Sequence, residues 1–124
     1  MSTLKDIFVS AVIVIAGQKK NPAEKLSEIQ KILAGHYAHY ELLVIDSEAN
    51  SADFSAQMEE QLKKLPKVRY IRLFNVMSDK VLFAAGLENA IGDVVIASYS
   101  DYYNEENILK AVDLCCAEIG RAHV

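Results

Sequence analysis

The stretch Phe8-Val-Ser-Ala-Val-Ile-Val-Ile15 decides the fold. It is β-branched and almost uniformly apolar, as expected for a strand covered on both faces rather than one with a wet side. It is too short to span a bilayer, and no small-residue cleavage-like site follows it. A strand buried on both faces needs neighbours that can cover it, and the flanking segment supplies the first of them. Gly17 breaks the run, and Asn21-Pro22-Ala23-Glu24 opens a helix. Asn can cap, Pro suits the first helical position, and Glu three residues after Asn completes a capping-box-like pattern. Leu26, Ile29, Ile32 and Leu33 share one face of this helix, which Gly35 is expected to end.

The alternation then repeats. Tyr40-Glu-Leu-Leu-Val-Ile45 reads as a second strand, closed by Asp46 and a polar segment from Ser47 to Ser51. A helix is predicted over Ala52 to Leu65, with Phe54, Met58 and Leu62 inward and Pro66 as its stop. Val68-Arg-Tyr-Ile-Arg-Leu73 alternates more strictly, which predicts a third strand with one wetter face. Ser78 is placed to cap a third helix running to Ile91, with Gly92 as terminator. Asp93-Val-Val-Ile-Ala97 is the fourth strand, and a last helix from Glu105 to Ile119 carries Ile108, Leu109, Val112 and Cys116 inward. No Asn-Gly-type hairpin signal interrupts the series, so the sheet should be parallel, with right-handed crossovers placing helices on both faces.

At 124 residues this is expected to be one α/β domain over positions 1–124, a three-layer α/β/α sandwich with no internal repeat or linker. Lys and Arg are scattered and the formal net charge is −4, which argues against a nucleic-acid partner. The two cysteines, Cys115 and Cys116, are adjacent, poor geometry for a mutual disulfide. A chain without an internal staple fits a reducing compartment, so the expected location is cytoplasmic, with no membrane span.

The segment Tyr40 to Asp101 carries a family resemblance. Tyr40-Glu-Leu-Leu-Val-Ile-Asp46, Lys67-Val-Arg-Tyr-Ile-Arg-Leu73 and Ala84-Ala-Gly-Leu-Glu-Asn-Ala-Ile-Gly-Asp93 resemble, in that order and spacing, pieces of the nucleotide-binding half of family 2 glycosyltransferases of the GT-A type. The match runs from about Phe8 to Ile108. The resemblance implies a Rossmann-like domain with a mainly parallel four-stranded sheet in the order 3-2-1-4. Ligands in such a sheet sit over the carboxyl ends of the strands, where the strand order reverses. It also implies a nucleotide-binding rim formed by Ala16, Gly17, Asp46 and Tyr99, and a Mg²⁺ or Mn²⁺ held by Asp101 beneath a nucleoside diphosphate sugar.

The sequence departs from the family pattern at those same points. Val14, Ala16 and Gly17 stand where members have a Pro and then an aromatic-Asn pair. Asp46-Ser47 keeps only the first of two acids, Val76-Met77-Ser78 replaces an Asn-x-Gly string, and Tyr99-Ser100-Asp101 keeps only the last carboxylate of the Asp-x-Asp metal motif. In members the catalytic base and acceptor site follow that motif, and no residue here matches the base. The expectation is a degenerate, non-catalytic domain with an assembly or regulatory role, in polysaccharide biosynthesis by family analogy. Asp93 to Ala97 would then be an uncovered sheet edge, predicting a homodimer or a partner protein through strand four or the last helix. The alternative is the nucleotide-sugar-binding half of a split or truncated transferase. A small-molecule sensor unrelated to sugars is a third reading.

Each residue also has an ordinary reading. Asp46 can be a turn aspartate bonding its own loop. Asp101, with nearby Asn104, can cap the last helix, and Lys80 can be a solvated first-turn lysine. Tyr99, Tyr102 and Tyr103 can stack on a base, fill space or form an interface. His36 and His39 straddle a helix-to-strand junction, and Glu105-Glu106 suits a helix N-terminus.

Overall fold

A computed structural model describes residues 4–15, 21–74 and 78–118. Its elements run β1 (Lys5–Val14), α1 (Ala23–His36), β2 (Tyr37–Ser47), α2 (Ala52–Leu62), β3 (Val68–Leu73), α3 (Asp79–Asn89), β4 (Val94–Tyr99), a 3₁₀ turn (Ser100–Tyr102) and α4 (Glu105–Glu118). The four strands form one parallel sheet in the order β3-β2-β1-β4. The architecture is the α/β sandwich with a parallel sheet expected from the alternation of apolar runs and helical spacing, in the Rossmann-like strand order that the resemblance implies.

The central strand behaves as its composition requires. Every residue from Val9 to Val14 is buried. Val9, Ala11 and Ile13 join a cluster with Leu26, Ile29 and Leu33 of α1, Met58 and Leu62 of α2, and Ile108 and Val112 of α4. Val12 and Val14 point the other way, into a smaller cluster with Leu43, Ile45, Val95 and Leu82 of α3. Three helices therefore cover one face and α3 alone covers the other. Burying a Val, Leu or Ile side chain contributes roughly 1.5–3 kcal/mol, so the alternating sides of β1 anchor both layers.

The lone helix on the second face depends on a close approach. A Cβ at Gly86 would lie 2.3 Å from Val12 Cγ1 and 3.3 Å from Ile45 Cγ1. Gly92 acts similarly at the other end of the α3–β4 link. A Cβ there would meet Ser10 Oγ at 2.6 Å and the Phe8 carbonyl oxygen at 2.8 Å. Its N–H donates to Ser10 Oγ at 2.8 Å, and the Asp93 N–H donates to the Phe8 carbonyl at 2.8 Å. Gly92 is thus a contact glycine, not the helix terminator expected from sequence; α3 ends at Asn89, where Ala90 turns extended.

Other boundaries shift for local reasons. The α1 helix runs one residue past Gly35 to His36, and Asn21 Oδ1 accepts the Ala23 N–H at 2.8 Å at its start. The α2 helix stops at Leu62 rather than Leu65, the chain leaving through tight turns before Pro66. Its first turn is capped by Ser51, whose Oγ accepts the Phe54 N–H at 3.1 Å. In α4 the inward cysteine is Cys115, while Cys116 is exposed. Position 115 continues the 108–112 stripe by three, whereas 116 rotates off it. The expected wetter face of β3 reduces to Arg69, exposed among five residues of intermediate burial, since that strand is an edge.

Two tyrosines fasten elements by burial. Tyr103 is fully buried and its hydroxyl donates to the Val12 carbonyl at 2.9 Å. Tyr37 begins β2 at 1% exposure. Burial disfavours both phenolates: it pushes Tyr37 up to about 12 and Tyr103 well above the ordinary phenol value.

Gly86→Ala is expected to destabilise the fold by about 1–3 kcal/mol through overpacking on Val12. Gly35→Ala, where a Cβ meets nothing within 4 Å, should stabilise by about 0.5–1 kcal/mol. Urea titrations of both variants check the pair. For Tyr37 the folded state holds its proton more tightly than the unfolded chain, so that stability is complete below pH 10 and drains away as pH rises towards 12. Alkaline unfolding followed by circular dichroism should coincide with the appearance of phenolate absorbance from the buried tyrosines.

Candidate functional site

The carboxyl ends of the four strands form the rim where a parallel sheet of this order presents its crevice, at the reversal between β1 and β4. Ala16 and Gly17, expected on this rim, lie outside the described residues. The other three expected residues are described, and they face different ways.

Asp46 sits near the end of β2 with no exposed surface. Its Oδ1 accepts the Ser47 N–H at 2.7 Å and Asn50 Nδ2 at 2.6 Å. Its Oδ2 accepts the Ser55 hydroxyl at 2.5 Å and the Tyr70 hydroxyl. A carboxylate offers about four lone-pair positions, and four donors take them. Asn50 also donates to the Ile15 carbonyl at 2.5 Å, and Arg72 donates from Nη2 to the Asn50 carbonyl at 3.1 Å. Directly, and through Asn50, Asp46 thereby ties the end of β2 to Ile15 just past β1, to the middle of β3 and to the first turn of α2. The Tyr70 hydroxyl is raised above the ordinary phenol value, first by burial and then by its bond to Asp46.

Tyr99 projects towards α3. Its hydroxyl donates to Asp79 Oδ2 at 2.5 Å, and its ring meets Phe83 edge-on with centroids 5.1 Å apart. The bond to Asp79, more than its slight burial, raises its phenol value. Tyr102, 60% exposed, lies 6.3 Å from Tyr99 ring to ring. The three tyrosines therefore divide: Tyr103 fills the core, Tyr99 packs on α3, and Tyr102 stands in solvent.

Asp101 is exposed in the 3₁₀ turn and lines a cavity of about 280 Å³ with Asn21, Pro22, Glu24, Lys25, Glu28 and Ser100. This cavity lies between the start of α1 and the turn after β4, apart from Asp46. Ser100 Oγ is buried there with no hydrogen-bond partner. Asp101 does not cap α4; Asn104 does, its Oδ1 accepting the Asn107 N–H at 2.8 Å. Among the described residues no group of three or more His, Cys, Asp or Glu side chains is placed to hold a metal ion. A Mg²⁺ or Mn²⁺ at Asp101 would have Glu24 and Glu28 on the same cavity and could take its remaining oxygens from ligand phosphates and water. Lys80 is exposed in the first turn of α3. His36 and His39 face separate partners, Glu105 at 3.1 Å and Asp6 at 3.6 Å.

Nothing in the sequence pattern groups Asn50, Ser55 and Tyr70, because their relation is purely tertiary. The available signal was Asp46 itself, an acid closing an otherwise apolar strand. In comparisons with known proteins, no family model matches this chain and no curated protein matches it significantly.

Removing the Asp46 carboxylate strands four donors in a dry site. Asp46→Ala is therefore expected to cost about 2–4 kcal/mol, while Asp101→Ala should stay within about 0.5 kcal/mol of the parent. Thermal and urea unfolding of the two variants makes the comparison.

Proposed function

We propose that this chain is a degenerate, non-catalytic glycosyltransferase family 2-like domain that acts in assembly, in the cytoplasm and, by family resemblance alone, in polysaccharide biosynthesis. The observation that carries the non-catalytic part is the saturated Asp46. A residue that touches a nucleobase in the family pattern has its acceptor positions filled by Ser47, Asn50, Ser55 and Tyr70. Tyr99, standing where the family's first metal-motif acid would be, donates to Asp79 and packs on Phe83.

The assembly part draws on β4. It is an edge strand of the sheet, and its sequence Val94-Val-Ile-Ala-Ser-Tyr99 carries no charge, proline or glycine. Its residues Val94 to Ser98 are nonetheless only 0–5% exposed, so the uncovered edge expected from the sequence is closed and the surface open to a partner lies beside it. Tyr102, directly after β4, and Leu114, on the helix that packs against it, are large apolar side chains at 60% and 65% exposure. An isologous contact between two copies beside β4 would cover these two side chains. No helix among the described residues is long and apolar enough to cross a membrane.

One observation favours the second reading, a nucleotide-sugar-binding half of a split transferase. The Ser100–Asp101 cavity contains an orphaned buried hydroxyl, a group that a ligand could satisfy.

Light scattering at roughly 100 μM protein should give the mass of a dimer, and Tyr102→Glu with Leu114→Glu should return a monomer of unchanged melting temperature. A monomer at every concentration would remove the homodimeric form of the proposal.

A further inference from the structure

The amino ends of the strands hold a second polar network, unrelated to the rim above. Glu41 lies in β2 with its side chain 8% exposed. Its Oε2 accepts the Ser10 hydroxyl at 2.5 Å and the Ile91 N–H at 2.8 Å. Its Oε1 accepts Arg69 Nε at 3.2 Å and Nη2 at 2.9 Å, and the same Nη2 donates to the Asn89 carbonyl at 2.5 Å. Arg69 is therefore held rigidly at the end of α3, a cation fixed in place rather than a mobile surface charge.

Beside it opens a cavity of about 360 Å³, lined by Phe8, His39, Glu41, Lys67, Arg69 and Ile91 among others. The cause is architectural. Among the described elements only α3 covers this face, and it ends at Asn89, so Phe8 and His39 near the amino ends of the strands lie beyond it. Ile91 stands 69% exposed at the mouth, and Phe8 forms an apolar wall beside His39, their rings 6.4 Å apart. Glu41 and Arg69 neutralise each other in part, and Asp6 is 92% exposed at 3.6 Å from His39, so among the described residues Lys67 is the cation left without an acidic partner at the cavity. Lys67 lies over the Tyr40 ring, its ammonium 5.0 Å from the ring centre.

Lys67 has a further peculiarity. Among the described residues it is the one non-glycine with positive φ, at 60°, a conformation that glycine adopts without cost. Its carbonyl accepts the Leu42 N–H at 3.0 Å, which holds the strained backbone in register with β2. A lysine at a site suited to glycine is a local conflict between sequence and backbone, and such conflicts concentrate at functional positions.

We propose that this cavity binds a small amphiphilic anion, its flat apolar body against Phe8 and Ile91 and its carboxylate or phosphate oxygens on Lys67 and Arg69. Pockets of this size accommodate small ligands with a few placed polar groups, and Arg69 can offer Nη1 to an oxyanion while Nε and Nη2 stay on Glu41 and the Asn89 carbonyl. The site is independent of association beside β4, since neither Tyr102 nor Leu114 lines it.

The test is a titration of the full chain with phenyl phosphate, phenylacetate and inorganic phosphate, followed by amide resonances of Phe8, Arg69 and Ile91. Both aryl anions should give saturable shifts at these positions, with inorganic phosphate at least about tenfold weaker. Preference between the two aryl anions assigns the oxyanion as phosphate or carboxylate. Lys67→Gly should weaken binding about tenfold while melting no lower than the parent, because the positive φ is then relieved. Ile91→Glu, at an exposed position, should also abolish binding without loss of fold. The proposal fails if inorganic phosphate binds as well as the aryl anions, if Lys67→Gly binds unchanged, or if no saturable shift appears up to about 20 mM.

Discussion

A carboxylate with no access to water is costly unless hydrogen bonds replace its hydration, and Asp46 meets that requirement with four donors drawn from three separate segments. The loop from Ser47 to Asn50, the start of α2 and the middle of β3 are all positioned by the need to reach one side chain. Asn50 passes the constraint on to β1 through the Ile15 carbonyl. The carboxyl-end rim is consequently organised inward. Where a parallel sheet of this order would offer acceptors to a ligand, this one spends them on its own loops.

The opposite end of β2 repeats the device with a different outcome. Glu41 gathers Ser10, Ile91 and Arg69, bracing β1, β3 and the α3–β4 link. Breaking a buried pair of this kind leaves an uncompensated charge, so both carboxylates constrain the fold more than their number suggests. The difference lies in what surrounds them. Helix α2 and Tyr70 close over Asp46, whereas α3 ends before it can cover Glu41, leaving cationic and apolar side chains around open space. A single helix on one face of the sheet, admitted close to β1 by Gly86, sets that asymmetry.

The fold was legible because it rests on local pattern. The uniformly apolar Phe8–Ile15, the Asn21-Pro22 helix start and the absence of hairpin turns each point to a parallel sheet between helices, and the strand order agrees with that expected from the resemblance. Boundaries slipped where tertiary contact overrode local signal: Gly92 read as a terminator but serves close packing on Ser10, and Cys115 rather than Cys116 continues the buried stripe. The site was less legible. Asp46, Tyr99 and Asp101 are near in sequence logic, yet they face the interior, α3 and the α1 cavity respectively. Ser10 and Glu41 were passed over in the sequence, although each is a polar residue inside an apolar run. Pairing them with Arg69 required the parallel register that sets Ser10 beside Glu41.

We propose that the carboxyl-end rim is structural and that the chain does not act on nucleotide sugars by itself. Calorimetric titration with UDP, with and without Mn²⁺, addresses it directly. The account predicts no detectable heat up to millimolar UDP in either condition. Manganese-dependent binding at micromolar strength would contradict it, and would show that Asp101 and its cavity serve a nucleotide even with Asp46 committed to the fold.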